Sequence, residues 1–227
     1  MQKILSIYAI SRIIDRGSNL LNKFRDSLQP IMTKIGMTFA SLGLSANFWT
    51  TVSLATSILA GAVYAMAATA TPTTGFILPD IRFSWLYSSI IGSILLLISG
   101  FFDIIDGSIA RATKQTSKKG AFLDSSFDKI SEAIIFIGIA AGNLANPILC
   151  MIALSLSITV SYVRARAESL GVELKGIGIG ERAERLLIIA IVGIVPVVGA
   201  IQWAIIAVSI VAGVTLIHRI ATALKNL

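Results

Sequence analysis

Apolar stretches of about 20 residues recur along this 227-residue chain, the length an α-helix needs to cross a hydrocarbon core roughly 30 Å thick. Nothing else narrows the fold as much, because in lipid every backbone N–H and C=O must find its partner within the protein. Six spans are expected, at about 47–69, 84–110, 121–142, 146–167, 184–200 and 202–221. Composition agrees: 55% of residues are hydrophobic, 14% are charged, and the mean hydropathy is +0.84. The expected fold is an all-α integral membrane protein, a six-transmembrane-helix bundle over 43–227. An N-terminal amphipathic juxtamembrane segment over 1–42 precedes it. Within that segment Ile4, Ile7, Tyr8, Ile10 and Ile14 fall close to helical spacing among Lys3, Arg12 and Arg16, as in a helix lying on a membrane surface. The two arginines cut the apolar run and no small-residue cleavage site follows, so a signal peptide is not expected.

The charges orient the bundle. All but Arg82 of the 19 lysines and arginines fall in the N-terminal region, around the connection between spans two and three, in the connection between spans four and five, or at the C-terminal end. An even number of spans puts these four regions on one side, and the excess of basic residues marks that side as cytoplasmic. Both termini of a multi-pass cell-membrane protein are thus expected in the cytoplasm. Cys150 is the single cysteine, so neither an intrachain disulfide nor a cysteine-based metal site can form. His218 reads as an interfacial residue, and no nucleic-acid partner is expected.

Carboxylates in a bilayer are costly and most face a cavity, a partner or an ion. Asp103 and Asp106 lie three apart, Asp124 and Asp128 four apart, so on helices each pair shares a face. The stretch between them, Ala112 to Gly120, is a short basic turn, which makes the two helices antiparallel neighbours. Four carboxylates then converge and would repel without a counter-ion. Hard divalent cations prefer oxygen ligands, and four aspartates suffice for two ions of the kind used in phosphoryl chemistry. Gly107 leaves room for a ligand against the backbone, Ala110 lies on the same face, and Arg111 offers a planar donor fork suited to phosphate.

Asp103-x-x-Asp106-Gly107-x-x-Ala110-Arg111, eight residues, then Gly120-x-x-x-Asp124-x-x-x-Asp128 resembles in full the signature of the CDP-alcohol phosphotransferase family. The resemblance covers most of the chain. It implies a six-helix membrane enzyme, commonly a homodimer, that moves a phosphatidyl-type group from a CDP-linked lipid to an alcohol and releases CMP. It implies further that Asp103, Asp106, Asp124 and Asp128 bind two Mg²⁺ or Mn²⁺ ions, with Asp128 also the general base. Asp106, Gly107, Ala110, Arg111 and Gly120 would border the CDP-lipid. Upstream, Gly43-Leu-Ser-Ala-Asn47-Phe-Trp-Thr50 is similar to the family's Gly-Leu-x-Pro-Asn-x-x-Thr segment, which adds Asn47 and Thr50 to the nucleotide site; Ala46 stands where the family has proline. Ser45 or Asn47 could equally cap the first span, and both roles are compatible.

Between spans four and five, Arg164, Arg166, Lys175, Arg182 and Arg185 gather around a turn in which glycine alternates from Gly176 to Gly180. A cationic pocket at the membrane face suits a phosphorylated acceptor. The segment Ser161-Tyr-Val-Arg-Ala-Arg-Ala-Glu168 resembles the branch of the family comprising phosphatidylinositol-phosphate and archaetidylinositol-phosphate synthases, which implies inositol 1-phosphate as the acceptor. Glycerol 3-phosphate, also anionic, is the alternative, followed by uncharged inositol or serine. The donor is CDP-diacylglycerol or CDP-archaeol. A cation transporter also keeps acids in its membrane domain, near the midplane of repeated halves. Here no internal repeat is evident and the acids cluster at one face.

Overall fold

The computed structural model describes residues 27, 30–70, 85–113, 117–174 and 176–227. Among these the chain is helical throughout, without a strand. The amphipathic pattern of residues 1–16 and the side chain of Lys175 lie outside the described residues. Helix α1 covers 30–40; α2 is Ala46–Ala65, continued by a 3₁₀ turn at Met66–Ala70; α3 is Trp85–Ala112; α4 is Lys118–Ala141; α5 is Pro147–Ser169; α6 is Arg182–Ile194; and α7 is Ala200–Asn226.

The helix starts are chemically marked. Ser45 accepts a hydrogen bond from the N–H of Phe48, so it is Ser45 and not Asn47 that caps α2. Ser117 accepts from the N–H of Gly120 at 3.0 Å to open α4. Asn146 accepts from Ile148 and Leu149, with Pro147 in the first turn of α5, where its missing N–H costs nothing.

Four helices, beginning at Ala46, Trp85, Pro147 and Ala200, are long and apolar enough to cross a membrane. The protein is a multi-pass membrane protein. The other two expected spans, helices α4 and α6, fall short of that measure. Helix α4 carries Asp124, Asp128, Lys129 and Glu132 in its first half. Helix α6 has 13 residues, about 20 Å at 1.5 Å per residue, and stops at Ile194 rather than near 200. Pro196 causes the stop: Val195 before it is extended (φ −70°, ψ 124°), as the ring of a following proline demands.

Small and hydroxyl side chains bring the helices together. Gly138 of α4 lies directly on the carbonyl of Gly61 in α2, where any Cβ would collide with backbone. Between α2 and α3, Ser53 Oγ donates to the Ser99 carbonyl and Ser99 Oγ to the Ser53 carbonyl, each at 3.0 Å. Ser89 Oγ ties α3 to the Gly193 carbonyl of α6 at 2.7 Å. Buried hydroxyls of this kind link helices where no water competes for them. The apolar core runs through Tyr64, Phe136, Ile139, Ile189 and Ile205, while Ile58, Ile137, Met151, Ile191 and Trp203 point outward, as suits a lipid-facing surface. Helix α1 packs Ile35 and Phe39 against Trp49, Ile105 and Ile109.

Alternating helix direction gathers the starts of α2, α4 and α6 and the ends of α3, α5 and α7 at one end of the bundle. The signature residues and the basic connection meet there.

Candidate active site

The aspartates form the centre. Asp103 and Asp106 come from the last turns of α3, and Asp124 from the second turn of α4. One carboxylate oxygen from each lies within 4.8 Å of the other two. At that spacing each pair of charges repels by on the order of 3 kcal/mol at an effective dielectric near 20. Asp106 is buried, and its Oδ2 has no hydrogen-bond partner. A buried acceptor without a donor, inside an all-oxygen cluster of three acids, fits a hard divalent cation. Asp128 does not join this trio. It pairs with Arg182, whose Nη1 is 2.5 Å from Asp128 Oδ1 and 3.0 Å from Asp103 Oδ1.

Two cavities flank the aspartates. One, of about 210 Å³, contains all seven residues expected at the nucleotide. Asn47 and Thr50 reach it from the first turns of α2, Asp106, Gly107, Ala110 and Arg111 from the end of α3, and Gly120 from the start of α4, with Asp124 at its inner edge. The wall is open because its helical positions are small: Ala46, Gly107, Ala110, Gly120 and Ala121. Arg111 stands at the rim, with Nη2 3.3 Å from Ser108 Oγ. The starts of α2 and α4 both border this cavity, and helix N-termini favour anionic groups.

The other cavity, of about 430 Å³, is shared by Asp103 and Asp128 on one side and by arginines on the other. Arg164 comes from α5, Arg182 from the start of α6, and Arg219 from α7. Of the five cations expected at the acceptor, the four among the described residues separate. Arg164 and Arg182 face the cavity. Arg166 is exposed and lines neither cavity. Arg185 borders the cavity, but its side chain is 1% exposed and its guanidinium is committed. Nε and Nη2 donate to Glu132 Oε1 at 3.0 and 2.7 Å, and Nη1 donates to the Gly180 carbonyl. A guanidinium held this way fixes the structure of the wall.

In the sequence Arg219 is one of the two basic residues at the C-terminal end. It is 2% exposed and donates to the carbonyls of Ile177 and Val160 at 2.9 and 3.1 Å, with Nη2 3.7 Å from Glu181. The available signal is an arginine within Leu216-Ile217-His218-Arg219-Ile220 of an apolar helix, which requires a polar partner. The glycine-rich turn also has a definite place. Gly178 has φ +100°, and a Cβ there would lie 2.5 Å from Thr215 Cγ2 of α7. The turn thus lies down on α7, and Arg185 and Arg219 pin it through the carbonyls of Gly180 and Ile177.

Comparison with known proteins places this geometry. The sequence profile of the CDP-alcohol phosphatidyltransferase family matches residues 45–215. The chain is 34% identical over 208 residues to the archaetidylinositol phosphate synthase of Pyrococcus horikoshii, covering 92% of this chain and 98% of that protein. It is 39% identical over 175 residues to the protein of the same name from Methanothermobacter thermautotrophicus, covering 77% of each. The fold is similar to the crystal structure of phosphatidylinositol phosphate synthase from Mycobacterium tuberculosis with CDP-DAG bound, with a TM-score of 0.66 and 25% identity over 86% of this chain and 94% of that one. By profile, sequence and fold, the chain belongs to the CDP-alcohol phosphatidyltransferase family and is a membrane transferase of phospholipid biosynthesis.

Proposed function

We propose that this protein transfers a phosphatidyl- or archaetidyl-type group from a CDP-linked lipid to inositol 1-phosphate and releases CMP. One observation carries the reading: two cavities share one aspartate cluster, the first lined by small signature residues and helix starts, the second by four arginines. A donor pyrophosphate fits the first and an anionic acceptor the second. The inositol phosphate synthases among the relatives support the choice of acceptor.

Asp103, Asp106 and Asp124, with Asp128 beside them, would hold Mg²⁺ or Mn²⁺, two ions by the family resemblance. When bound, such ions neutralise the pyrophosphate charge and make CMP a better leaving group. The chain's own groups do the rest. Asn47, Thr50 and the small residues of α3 and α4 orient the cytidine diphosphate. Arg164 and Arg182 hold the acceptor's phosphate, and Arg219, buried like Arg185, braces the wall behind them. Asp128, at the wall common to both ligands, accepts the proton of the attacking hydroxyl as the new phosphorus–oxygen bond forms. The helix ends confine the reaction to the membrane face, with the lipid chains left in the bilayer. All six helices from α2 to α7 would traverse the membrane, with the site and both termini cytoplasmic, and the protein would act as a homodimer.

The deciding experiment measures CMP release by the purified protein from CDP-diacylglycerol and CDP-archaeol, with inositol 1-phosphate, glycerol 3-phosphate, inositol and serine as acceptors. Inositol 1-phosphate is expected to give the highest kcat/KM. A preference for glycerol 3-phosphate would keep the phosphate site and change the alcohol; a preference for free inositol or serine would refute the role of the arginines. Arg164→Ala is expected to raise the acceptor KM about 10- to 100-fold, as loss of a charge-assisted contact worth roughly 1.5–3 kcal/mol implies. The KM for the CDP-lipid is expected to stay within about twofold.

A further inference from the structure

Arg182 stands between the catalytic aspartates and the acceptor cavity. Its side chain is 14% exposed, faces the cavity, and is shared by Asp103 and Asp128 through a single nitrogen, Nη1. One turn further along α6, Arg185 is held by Glu132, one turn beyond Asp128 on α4. The two helices are thus joined by two rungs of different character. The Arg185–Glu132 rung is buried, with 1% and 0% of the side chains exposed, and closed by the Gly180 carbonyl. The Arg182 rung lies at the cavity wall, where another anion can reach it. The fixed rung keeps Arg182 in place whichever anion it pairs with.

The remaining cavity arginines are bound to acids outside the catalytic cluster. Arg164 pairs with Glu168 at 2.9 Å and lies 3.8 Å from Glu181, and Arg219 lies 3.7 Å from Glu181. A phosphate that meets them leaves the aspartates as they were. Among the cavity's arginines only Arg182 pairs with Asp103 and Asp128, so only there does holding a phosphate break an ion pair to them; Lys129, which also lines the cavity, lies 3.7 Å from Glu132 Oε2. A phosphate dianion presents several oxygens to the guanidinium fork and carries more charge than either carboxylate.

We propose that the acceptor's phosphate takes Arg182 away from Asp128 and Asp103, so that a phosphorylated acceptor releases the carboxylates needed for its own reaction. This rests on the reading that the acceptor is a phosphorylated alcohol, and gives that preference a mechanism. An alcohol without phosphate binds weakly and also leaves Asp128 occupied, so it is rejected in kcat as well as in KM. Arg182 is in this sense a specificity-determining residue, distinct from Arg164, which contributes affinity alone.

The test uses the full-length protein in nanodiscs with inorganic phosphate as probe. Binding of labelled phosphate to the wild type is measured first; no binding would overturn the phosphorylated-acceptor reading and the switch with it. Mn²⁺ affinity is then measured from the free-ion electron paramagnetic resonance signal, with and without saturating phosphate. Removing a guanidinium from Asp103 favours a cation there, so phosphate is expected to tighten Mn²⁺ about 10-fold, within the usual range for coupled sites. Arg164→Ala is expected to keep that ratio at saturating phosphate. Arg182→Ala is expected to bring it to about 1 and to bind Mn²⁺ without phosphate as tightly as the wild type does with it. In the same preparations, phosphate added in trans is expected to raise kcat with free inositol about 10-fold in the wild type, and not in Arg182→Ala. Phosphate binding that leaves the wild-type Mn²⁺ affinity unchanged would overturn the switch alone, without need of a variant. An equal ratio in Arg182→Ala would do the same, by assigning the coupling to direct attraction between phosphate and ion.

Discussion

Arg185 and Glu132 form a buried ion pair between α6 and α4, with Arg185 Nη2 2.7 Å from Glu132 Oε1. Two charges removed from water are tolerable here because two N–H groups of Arg185 meet Glu132 Oε1, the Gly180 carbonyl takes a further N–H, and Lys129 Nζ lies 3.7 Å from Glu132 Oε2. Removing one partner leaves the other charged and buried. Arg185→Met is therefore expected to lower stability by about 3–5 kcal/mol, and Glu132→Gln by a smaller amount because the amide oxygen still accepts. Thermal unfolding in detergent measures both. If Arg185 instead gripped the acceptor directly, Arg185→Met would raise acceptor KM and leave the melting temperature unchanged.

The three-carboxylate cluster predicts dependence on a divalent ion. Asp106→Asn and Asp124→Asn are expected to reduce turnover at least 1,000-fold, on the order of 4 kcal/mol of barrier, while the purified proteins melt within a few degrees of the wild type. Excess chelator is expected to abolish wild-type activity, and Mg²⁺ or Mn²⁺ to restore it. Full activity in chelator would exclude the metal site.

Steric filling separates the two cavities. A Cβ at Gly107 would meet only Arg111 Nη1, at 3.4 Å, an ordinary contact, so Gly107→Ala is expected to be mild. Gly107→Leu would project into the 210 Å³ cavity and is expected to raise the KM for CDP-lipid at least 10-fold with little change for the acceptor. Equal changes in both constants would show that the two cavities act as one.

The turn that closes the acceptor cavity depends on Gly178. Its φ of +100° is unfavourable for any other residue, and Thr215 occupies the space a side chain would need. Gly178→Ala is expected to cost about 1–3 kcal/mol and to raise the acceptor KM by displacing the carbonyls that hold Arg185 and Arg219. Acceptor KM and thermal stability, measured together, check this.

Topology has a direct assay. Cys150 is 1% exposed, so a Cys150→Ala background carrying Ser117→Cys or Asn143→Cys reports from a single thiol. Ser117 opens α4 beside the site and Asn143 lies in the turn at its far end. An impermeant thiol reagent is expected to label Asn143→Cys in intact cells and to label Ser117→Cys only after lysis. The reverse pattern would invert the orientation.

The positions of the helices and the identity of the aspartate cluster were legible from the chain alone, because both are local. A span shows itself by some 20 consecutive apolar residues, and the capping residues Ser117 and Asn146 mark where helices begin. Spacings of three and four put Asp103 with Asp106, and Asp124 with Asp128, on one helix face each. The seven residues that the resemblance assigns to the CDP-lipid line one cavity, since each lies within a few turns of those aspartates or at the start of α2. What each arginine does was decided only by the tertiary structure. Arg182 and Arg185 are three apart and look equivalent in sequence, yet one faces a cavity and the other is buried against Glu132, 53 residues away. Arg219 enters the site through the carbonyls of Ile177 and Val160, which only the docking of α7 brings within reach. Asp128 stands outside the trio and shares Arg182 of α6 with Asp103, a pairing that only the packing of α6 creates. A guanidinium ranges several ångströms from its backbone and its partner is whichever acceptor the fold presents, so its role belongs to the assembled bundle and not to the local sequence.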